Sequence, residues 1–399
     1  MPLQTERDIK IFTDHADPVV LNQFQELTAQ PAFQGAKVRV MPDVHADAGQ
    51  VTGYSMDLGD KVIPGFVGCD IGCGILCIDL GEVDVDCLAL DALIRERIPT
   101  GNQVHDTRRT EFPLNILLCE SELKDKDHIL RSLGTLGGGN HFIEVDADSE
   151  GRKYLIIHSG SRGLGMQVGR FYQSLAVQSL SGEKQRAAAR RVVIEEYTRL
   201  GRKKELSGAL KKLDEKDFGA GLPDRLCYLT GNLENDFIHD MVYCELFAAR
   251  NRMLMANEIL SGMGWEVQDS FQSIHNQVDP NSHVIRSGAI SAERGEKVII
   301  PLNMRDGCIL GRGKGNEDWN SSAPHGAGRC MTRRRARQTL HLHDYEKNVQ
   351  GVYSTCISRD TITGAPMAYK PSEEIIRRVG PTVRIEKIIR PVYNFRAGA

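Results

Sequence analysis

The chain has 399 residues, 41% of them hydrophobic and 26% charged, with a formal net charge of −3. Such a chain can bury a large core without staples, and its near-neutral balance excludes a global basic field for nucleic acid while leaving local patches open. No apolar run reaches the roughly 18 residues of a membrane span, and MPLQTERDIKIFTD at the N-terminus lacks a signal peptide's apolar core, so a cytoplasmic protein with no membrane partner is expected.

Short β-branched runs alternate with helical patterns along the chain. AKVRVMPDVH (36–45) and KVIPGFVGCDIGCGILCIDL (61–80) read as strands, followed by a helix over 86–97. KYLIIHSGSRGLG (153–165) is a third strand. A long helical pattern over 166–213 should break at Gly182 and near Gly201. A helix over 234–262, a strand EKVIIPL (296–302), helices over 329–340 and 371–379, and a strand TVRIEKIIRPVYNF (382–395) complete the order. Glycine-rich turns are expected at 68–74, 134–139, 160–165 and 311–315, where sites on a sheet scaffold are built. An α+β fold fits this order, with one domain over 1–399. The charged segment at about 166–216 reads as a solvated helical insertion, or as an arm gripping RNA.

Ten cysteines are scattered without a disulfide framework, which suits a reducing compartment. Metal-ligand residue types recur beside glycine loops. Asp70 and Cys73 lie in GCDIGCG, Asn140, His141 and Glu144 in LGGGNHFIEV, His158 in YLIIHSGSRG, and His275 in FQSIHNQV. One histidine at a strand end is ordinarily a hydrogen-bonded structural residue, but a set of Asp, Cys and three His suits a divalent transition metal. Ligand softness alone suggests zinc. In NSSAPHGAGRCMTRRRAR (320–337), Gly326 and Gly328 let the backbone at His325 approach a ligand, and the helix start that follows suits phosphate. A surface turn with an incidental histidine is the plain alternative. Other phosphate machinery is missing: GCILGRGKGN carries Cys308 and Gly315 where a P-loop needs Gly and Ser/Thr.

Eight motifs, MPDVHADAG, GCDIGCG, LGTLGGGNHFIEV, IHSGSRGLG, HN, RSGA, HGAGR and PMAYK, occur in the order found in the RtcB family of RNA ligases, and from about residue 40 onward the chain resembles that family. The resemblance implies stacked mixed and antiparallel β-sheets flanked by helices, around a central metal and nucleotide cleft. It implies a ligase dependent on GTP and Mn2+ that joins RNA 3′-phosphate or 2′,3′-cyclic-phosphate ends to 5′-hydroxyl ends, with an archease-like activator as a candidate partner. His325 would attack the GTP α-phosphate to form histidine–GMP, and Arg162 and Arg329 would clamp phosphate. Asp70, Cys73, His141, His158 and His275 would hold two manganese ions with Cys73 bridging, which overrides zinc. Asn140 and Asn276 would contact phosphate, Phe142 and Tyr369 flank guanine, Glu144 accept from its N1 and N2 groups, and Arg396 stand where a guanine-contacting lysine is usual.

The chain departs from the family pattern on the nucleotide side. PLNMRDG replaces PGSMG, bringing Leu302, Asn303 and Arg305 into a loop of small residues. Ser287 replaces a lysine, Thr363 and Gly364 replace an acidic pair, and Ala46, Asp47 and Ala48 replace Pro-Gly-Lys. A divergent paralogue that keeps histidine guanylylation but differs in its RNA is therefore expected. The rivals are a metal-dependent RNA-end phosphoesterase or guanylyltransferase without efficient ligation, and a non-catalytic RNA-binding protein. Arg333, Arg334, Arg335 and Arg337 read either as RNA contacts or as solvated charge.

Overall fold

A computed structural model describes residues 8–14, 18–47, 50–68, 70–214, 216 and 219–397. The fold is α+β, with two large sheets and a short ribbon. A seven-stranded antiparallel sheet runs in the order Lys297–Asn303, Gly307–Gly313, Val383–Arg396, Phe142–Ala147, Lys153–Ser159, Gly74–Gly81, Asp269–Ile274. Its two edges approach each other: the Lys297 ammonium ion-pairs with Asp269 and lies 5.8 Å from the Phe271 ring centre, so the sheet curls into a nearly closed barrel. A five-stranded sheet joins Asp8–Ile11, Lys37–Asp47, Gln50–Asp57, Ile285–Ser287 and Asn276–Val278, and Ala289–Ser291 pairs with Ser322–Pro324.

Strand alternation divides the barrel residues between two apolar environments. Ile143, Val145, Leu155 and Ile157 point outward and pack on Met255, Ala256 and Ile259 of the helix Asn232–Met263. Their neighbours Phe142, Tyr154 and Ile156 point inward with Ile75, Cys77 and Cys308. Burial on both faces explains why these strands read as near-continuous apolar runs. The long helix also fixes the glycine loops at the barrel rim. Buried Asn251 accepts from the amides of Gly134 (2.7 Å) and Thr135 (3.0 Å) and donates to the Gly160 carbonyl (3.1 Å). Fully buried Arg252 donates to the carbonyls of Gly72 (3.0 Å) and Ser159 (2.7 Å). Three loops that carry candidate ligands are thus tied to one rigid element.

The helices at Cys87–Arg97, Asn232–Met263 and Ser372–Val379 match the sequence reading closely. The long helical pattern starts earlier, at Arg162, and breaks at Gly182 (φ 75°) and Gly201 (φ 69°) into Arg162–Leu180, Glu183–Arg199 and Lys203–Asp214. The last two form a largely exposed pair joined by Arg190 and Asp214 at 2.6 Å.

Three expectations need correction. The run 61–80 is strand only from Gly74, because Pro64 opens a short helix through Val67. Gly311 and Gly313 lie within a strand and not in a turn: a Cβ there would sit 2.5 Å from the Arg384 carbonyl oxygen and 2.3 Å from the Ala292 carbonyl carbon. The helix expected over 329–340 spans only Arg333–Thr339, capped by the Thr332 hydroxyl, since Arg329 is held in a bridge with Tyr369. The described cysteines are all unpaired, and among the described residues no helix is long and apolar enough to cross a membrane.

Candidate active site

Neighbouring barrel strands end on one rim, and that is where the dispersed ligand types meet. Cys73 precedes Gly74–Gly81, His141 precedes Phe142–Ala147, His158 lies near the end of Lys153–Ser159, and His275 follows Asp269–Ile274. The Cys73 sulfur is 3.4 Å from Nε2 of both His141 and His158. His158 Nε2 lies 3.0 Å from His275 Nε2, and Asp70 Oδ2 lies 4.0 Å from His141 Nε2. The outer nitrogens settle the tautomers of two rings: His141 Nδ1–H donates to the Leu136 carbonyl at 2.7 Å and His158 Nδ1–H to the Asn140 carbonyl at 3.2 Å. Their Nε2 lone pairs therefore face inward.

Such a donor set is self-repelling without a cation. Protonation is a poor remedy, because burial holds His141, His158 and His275 below the usual imidazole range. Burial, reinforced by Asp70, also pushes the Cys73 thiol up, so a thiolate there needs a metal. The ligand atoms form two groups, Asp70–Cys73–His141 and Cys73–His158–His275, with the sulfur common to both. The arrangement fits two divalent ions bridged by one thiolate.

His325 follows the strand Ser322–Pro324, with its ring centre 4.7 Å from that of His275. Three donors converge on one oxygen of fully buried Asp43: His325 Nδ1–H at 2.7 Å, the His325 amide at 3.1 Å and the Gly326 amide at 3.2 Å. With Nδ1 committed as a donor, Nε2 keeps its lone pair. Gly328 (φ 71°) is required here, since a Cβ would lie 2.1 Å from the Asp43 carbonyl oxygen. Buried Lys370 donates to the Pro42 carbonyl at 2.8 Å; burial lowers its pKa while Asp43 acts in the opposite direction. His45 donates from Nδ1 to the Asp43 carbonyl at 2.9 Å, and burial depresses it to about 4, leaving a neutral ring on the cleft wall.

A cleft opens beside His325. Phe142, Glu144, Asn394 and Arg396 line one wall, Asn140 and His158 the metal side, and Gly326, Arg329 and Tyr369 another wall. Arg329 lies 5.4 Å from the Tyr369 ring centre, and its Nη1 donates to the Thr363 carbonyl at 2.9 Å. Burial raises the Tyr369 phenol, yet Arg396 and Arg329 bring it below its ordinary value, so this wall is electropositive. Glu144 is buried, receives a hydrogen bond from the Asn394 amide, and is pushed up to about 7 by burial.

Two expected phosphate contacts stand elsewhere than on this cleft. Arg162, at φ 55°, donates to the Gly101 carbonyl (2.7 Å) and the Thr135 hydroxyl (3.2 Å). Asn276 donates to the Asp70 carbonyl (3.3 Å) and accepts from the Gly288 amide (2.8 Å). The altered loop is also more selective than its sequence suggests. Leu302, Asn303 and Met304 reach the cleft, but Arg305 turns outward to Asp306 (2.8 Å) and Asn348 (3.1 Å). Arg396 Nη1 donates to the Gly364 carbonyl at 3.0 Å, and a Cβ at 364 would lie 1.5 Å from that nitrogen. The glycine that replaces an acid makes room for the arginine that replaces a lysine. Asp43, His45 and Asn394 escaped the sequence reading; Asp43 and His45 lay within MPDVHADAG, but nothing local linked Asp43 to a histidine 282 positions away.

A family model described as "tRNA-splicing ligase RtcB" matches residues 23–120 and 118–397. Two Escherichia coli proteins, RNA-splicing ligase RtcB1 and RNA-splicing ligase RtcB of strain K12, are each 27% identical to this chain over 418 aligned residues, covering 94% of the chain and 94% of each relative. The tRNA-splicing ligase RtcB of Archaeoglobus fulgidus is 26% identical over 452 aligned residues, covering 89% of the chain and 86% of that protein. With the ordered motifs meeting around one rim of candidate metal ligands and one histidine, and a family model spanning most of its length, the chain belongs to the RtcB family.

Proposed function

We propose that this protein is a GTP-dependent RNA ligase that joins 3′-phosphate or 2′,3′-cyclic-phosphate ends to 5′-hydroxyl ends through a histidine–GMP intermediate. The observation that carries the reading is the Asp43–His325 contact at 2.7 Å beside the paired ligand sets. His325 Nε2 attacks the GTP α-phosphorus, the bond to the bridging oxygen breaks, and pyrophosphate leaves. The imidazole becomes cationic on forming the P–N bond, and the Asp43 carboxylate holds the proton on Nδ1 and balances that charge. Asp70, Cys73, His141, His158 and His275 would hold two manganese ions, which when bound polarise phosphate oxygens and lower the cost of their charge.

Glu144 accepts from the N1 and N2 groups of guanine, Phe142 and Tyr369 flank the base, and Arg329 supplies a cation to phosphate. A 2′,3′-cyclic phosphate is first opened by water, which breaks the bond from phosphorus to the 2′ oxygen, and an RNA 3′-phosphate oxygen then displaces His325 from the GMP phosphorus. The 5′-hydroxyl attacks the activated RNA phosphate and GMP departs. The loop and cleft substitutions support an RNA substrate distinct from that of other family members, with repair of a particular broken RNA in the cytoplasm as the role. Asn140 and Arg396 complete the proposed nucleotide contacts, Asn276 and Arg162 would meet phosphate from the Asp70 side of the metal ligands, outside the nucleotide cleft, and an archease-like protein is the proposed activator.

The test is incubation with manganese and α-phosphate-labelled GTP or ATP, using wild type and His325→Ala, followed by RNA carrying the two end types. Acid-labile, alkali-stable label from GTP on wild type alone, chased into a joined RNA, is expected. Label without joining would replace ligase by guanylyltransferase, and no label from either nucleotide would overturn the reading.

A further inference from the structure

Glu144 has a second acid directly behind it. Asp146 lies two residues further along the same inward face of Phe142–Ala147, fully buried, one layer deeper in the barrel than the cleft. Neither of its oxygens receives an N–H or O–H from any other described residue. The carboxyl of Glu144 and the thiol of Cys308 are its polar neighbours, and the three groups offer atoms that all lie within 4.8 Å of one another. On the far side of Glu144 stand the Asn394 amide and the Arg396 guanidinium. Cys77, on the strand Gly74–Gly81, also faces Asp146 across the barrel and carries no charge, because burial raises its thiol. Among the described residues no cation is in contact with Asp146.

Two carboxylates this close in a dry lumen do not both ionise; one proton is shared between them. Asp146 is the better holder. It is the deeper of the two, and burial together with Glu144 raises it well above the carboxylate range. With the proton on Asp146 one oxygen can donate to Glu144, while the other faces the Cys308 thiol. Glu144 meanwhile lines the cleft, gripped from behind by Asp146 and from the side by Asn394.

We propose that Asp146 is a positioning and specificity-determining residue: as a neutral acid it donates to Glu144, favouring that carboxylate's ionised form and aiming it into the cleft as an acceptor for adjacent purine N–H donors. The inference rests on the reading that Glu144 faces guanine. Its consequence is that discrimination between guanine and adenine depends on a group that never touches the base. Without the Asp146 proton donor, Glu144 is a buried acid with less support. It takes up its proton at a higher pH than it does beside Asp146 and becomes a donor where guanine also presents donors.

The experiment is equilibrium binding of fluorescent GTP and ATP analogues to the manganese-loaded full chain, from pH 6 to 9, with wild type, Glu144→Gln, Asp146→Asn and Asp146→Val. Asparagine keeps an N–H to donate to Glu144 and should retain the preference for GTP. Valine should lose roughly 10-fold or more of that preference at pH 7 and regain part of it at pH 9, as Glu144 ionises. The infrared carbonyl stretch of a protonated carboxylic acid should be present in wild type and absent from Asp146→Asn. A wild-type preference and pH profile in Asp146→Val would sink the inference while leaving the guanine reading intact, provided Glu144→Gln abolishes the preference. If Glu144→Gln changes nothing, the guanine reading fails and this inference with it. A further stoichiometric divalent ion, lost alike in Asp146→Asn and Cys308→Ser, would also overturn it by making the cluster a metal site.

Discussion

Replacing Asp43 by asparagine tests the proposed nucleophile without touching it. In wild type, three N–H groups meet one Asp43 oxygen, and the other oxygen is buried with no hydrogen-bond partner among the described residues. Asparagine must place its carbonyl oxygen at the three-donor position, leaving its NH2 buried and unpaired at a cost of about 1–3 kcal/mol. The tautomer survives but the negative charge does not. At the observed 2.7 Å, a full charge pair is worth ~6 kcal/mol at an effective dielectric of 20, and desolvation offsets about half of this. The remaining ~3 kcal/mol corresponds to a rate of histidine guanylylation slower by about 10²-fold. The assay is single-turnover formation of labelled protein from α-labelled GTP at saturating manganese and nucleotide, so that chemistry and not binding is read. GTP affinity should change little. A guanylylation rate within about 3-fold of wild type, in a protein with a normal melting temperature, would refute the charge-balancing role.

Three further outcomes follow from the geometry. Cys73→Ala should weaken both manganese ions, whereas His275→Ala should leave one tightly bound; manganese titration by electron paramagnetic resonance distinguishes them, and equal loss in both variants would contradict a shared sulfur. Gly364→Ala should displace Arg396 and reduce GTP affinity by about 10-fold or more, and adding Arg396→Lys should recover much of it, because the shorter-reaching ammonium vacates the space a Cβ needs; a binding titration that finds the single variant unaffected counts against the coupled pair. His45 should make the protein acid-sensitive. Its folded value, about 4, lies below the unperturbed 6.5, so the folded state binds fewer protons, and the stability involved is fully present above pH 6.5 and lost as pH falls through about 4. That term is roughly 3 kcal/mol, and His45→Gln should flatten the chemical-denaturation profile over this window by a comparable amount. An unchanged slope would mean His45 is not held neutral by the fold.

Local physics made much of this protein readable in advance. Helices announced themselves by period and by the breaks at Gly182 and Gly201, where positive φ is needed. The barrel strands were recognisable as apolar runs, though their two-sided burial hid which residues face the lumen. The altered PLNMRDG loop shows the limit: its composition suggested a cation at the nucleotide, but Asp306 and Asn348 draw Arg305 away from the cleft.

The candidate ligands and their setting were legible in the residues alone, because a residue type and its adjoining glycines are local facts. Asp70, Cys73, His141, His158 and His275 could be nominated from GCDIGCG, GNHF, IIHSG and SIHN without any coordinates. How they come together is a matter of the folded chain. Antiparallel pairing brings strand ends from residues 73, 141, 158 and 275 to one rim, and places Asp43 against His325 and Asp146 behind Glu144. Which imidazole nitrogen is free, and which acid keeps its proton, depends on burial and on partners scattered through the chain. Such energies are set by distance and dielectric in the folded protein, and neither is a property of local sequence.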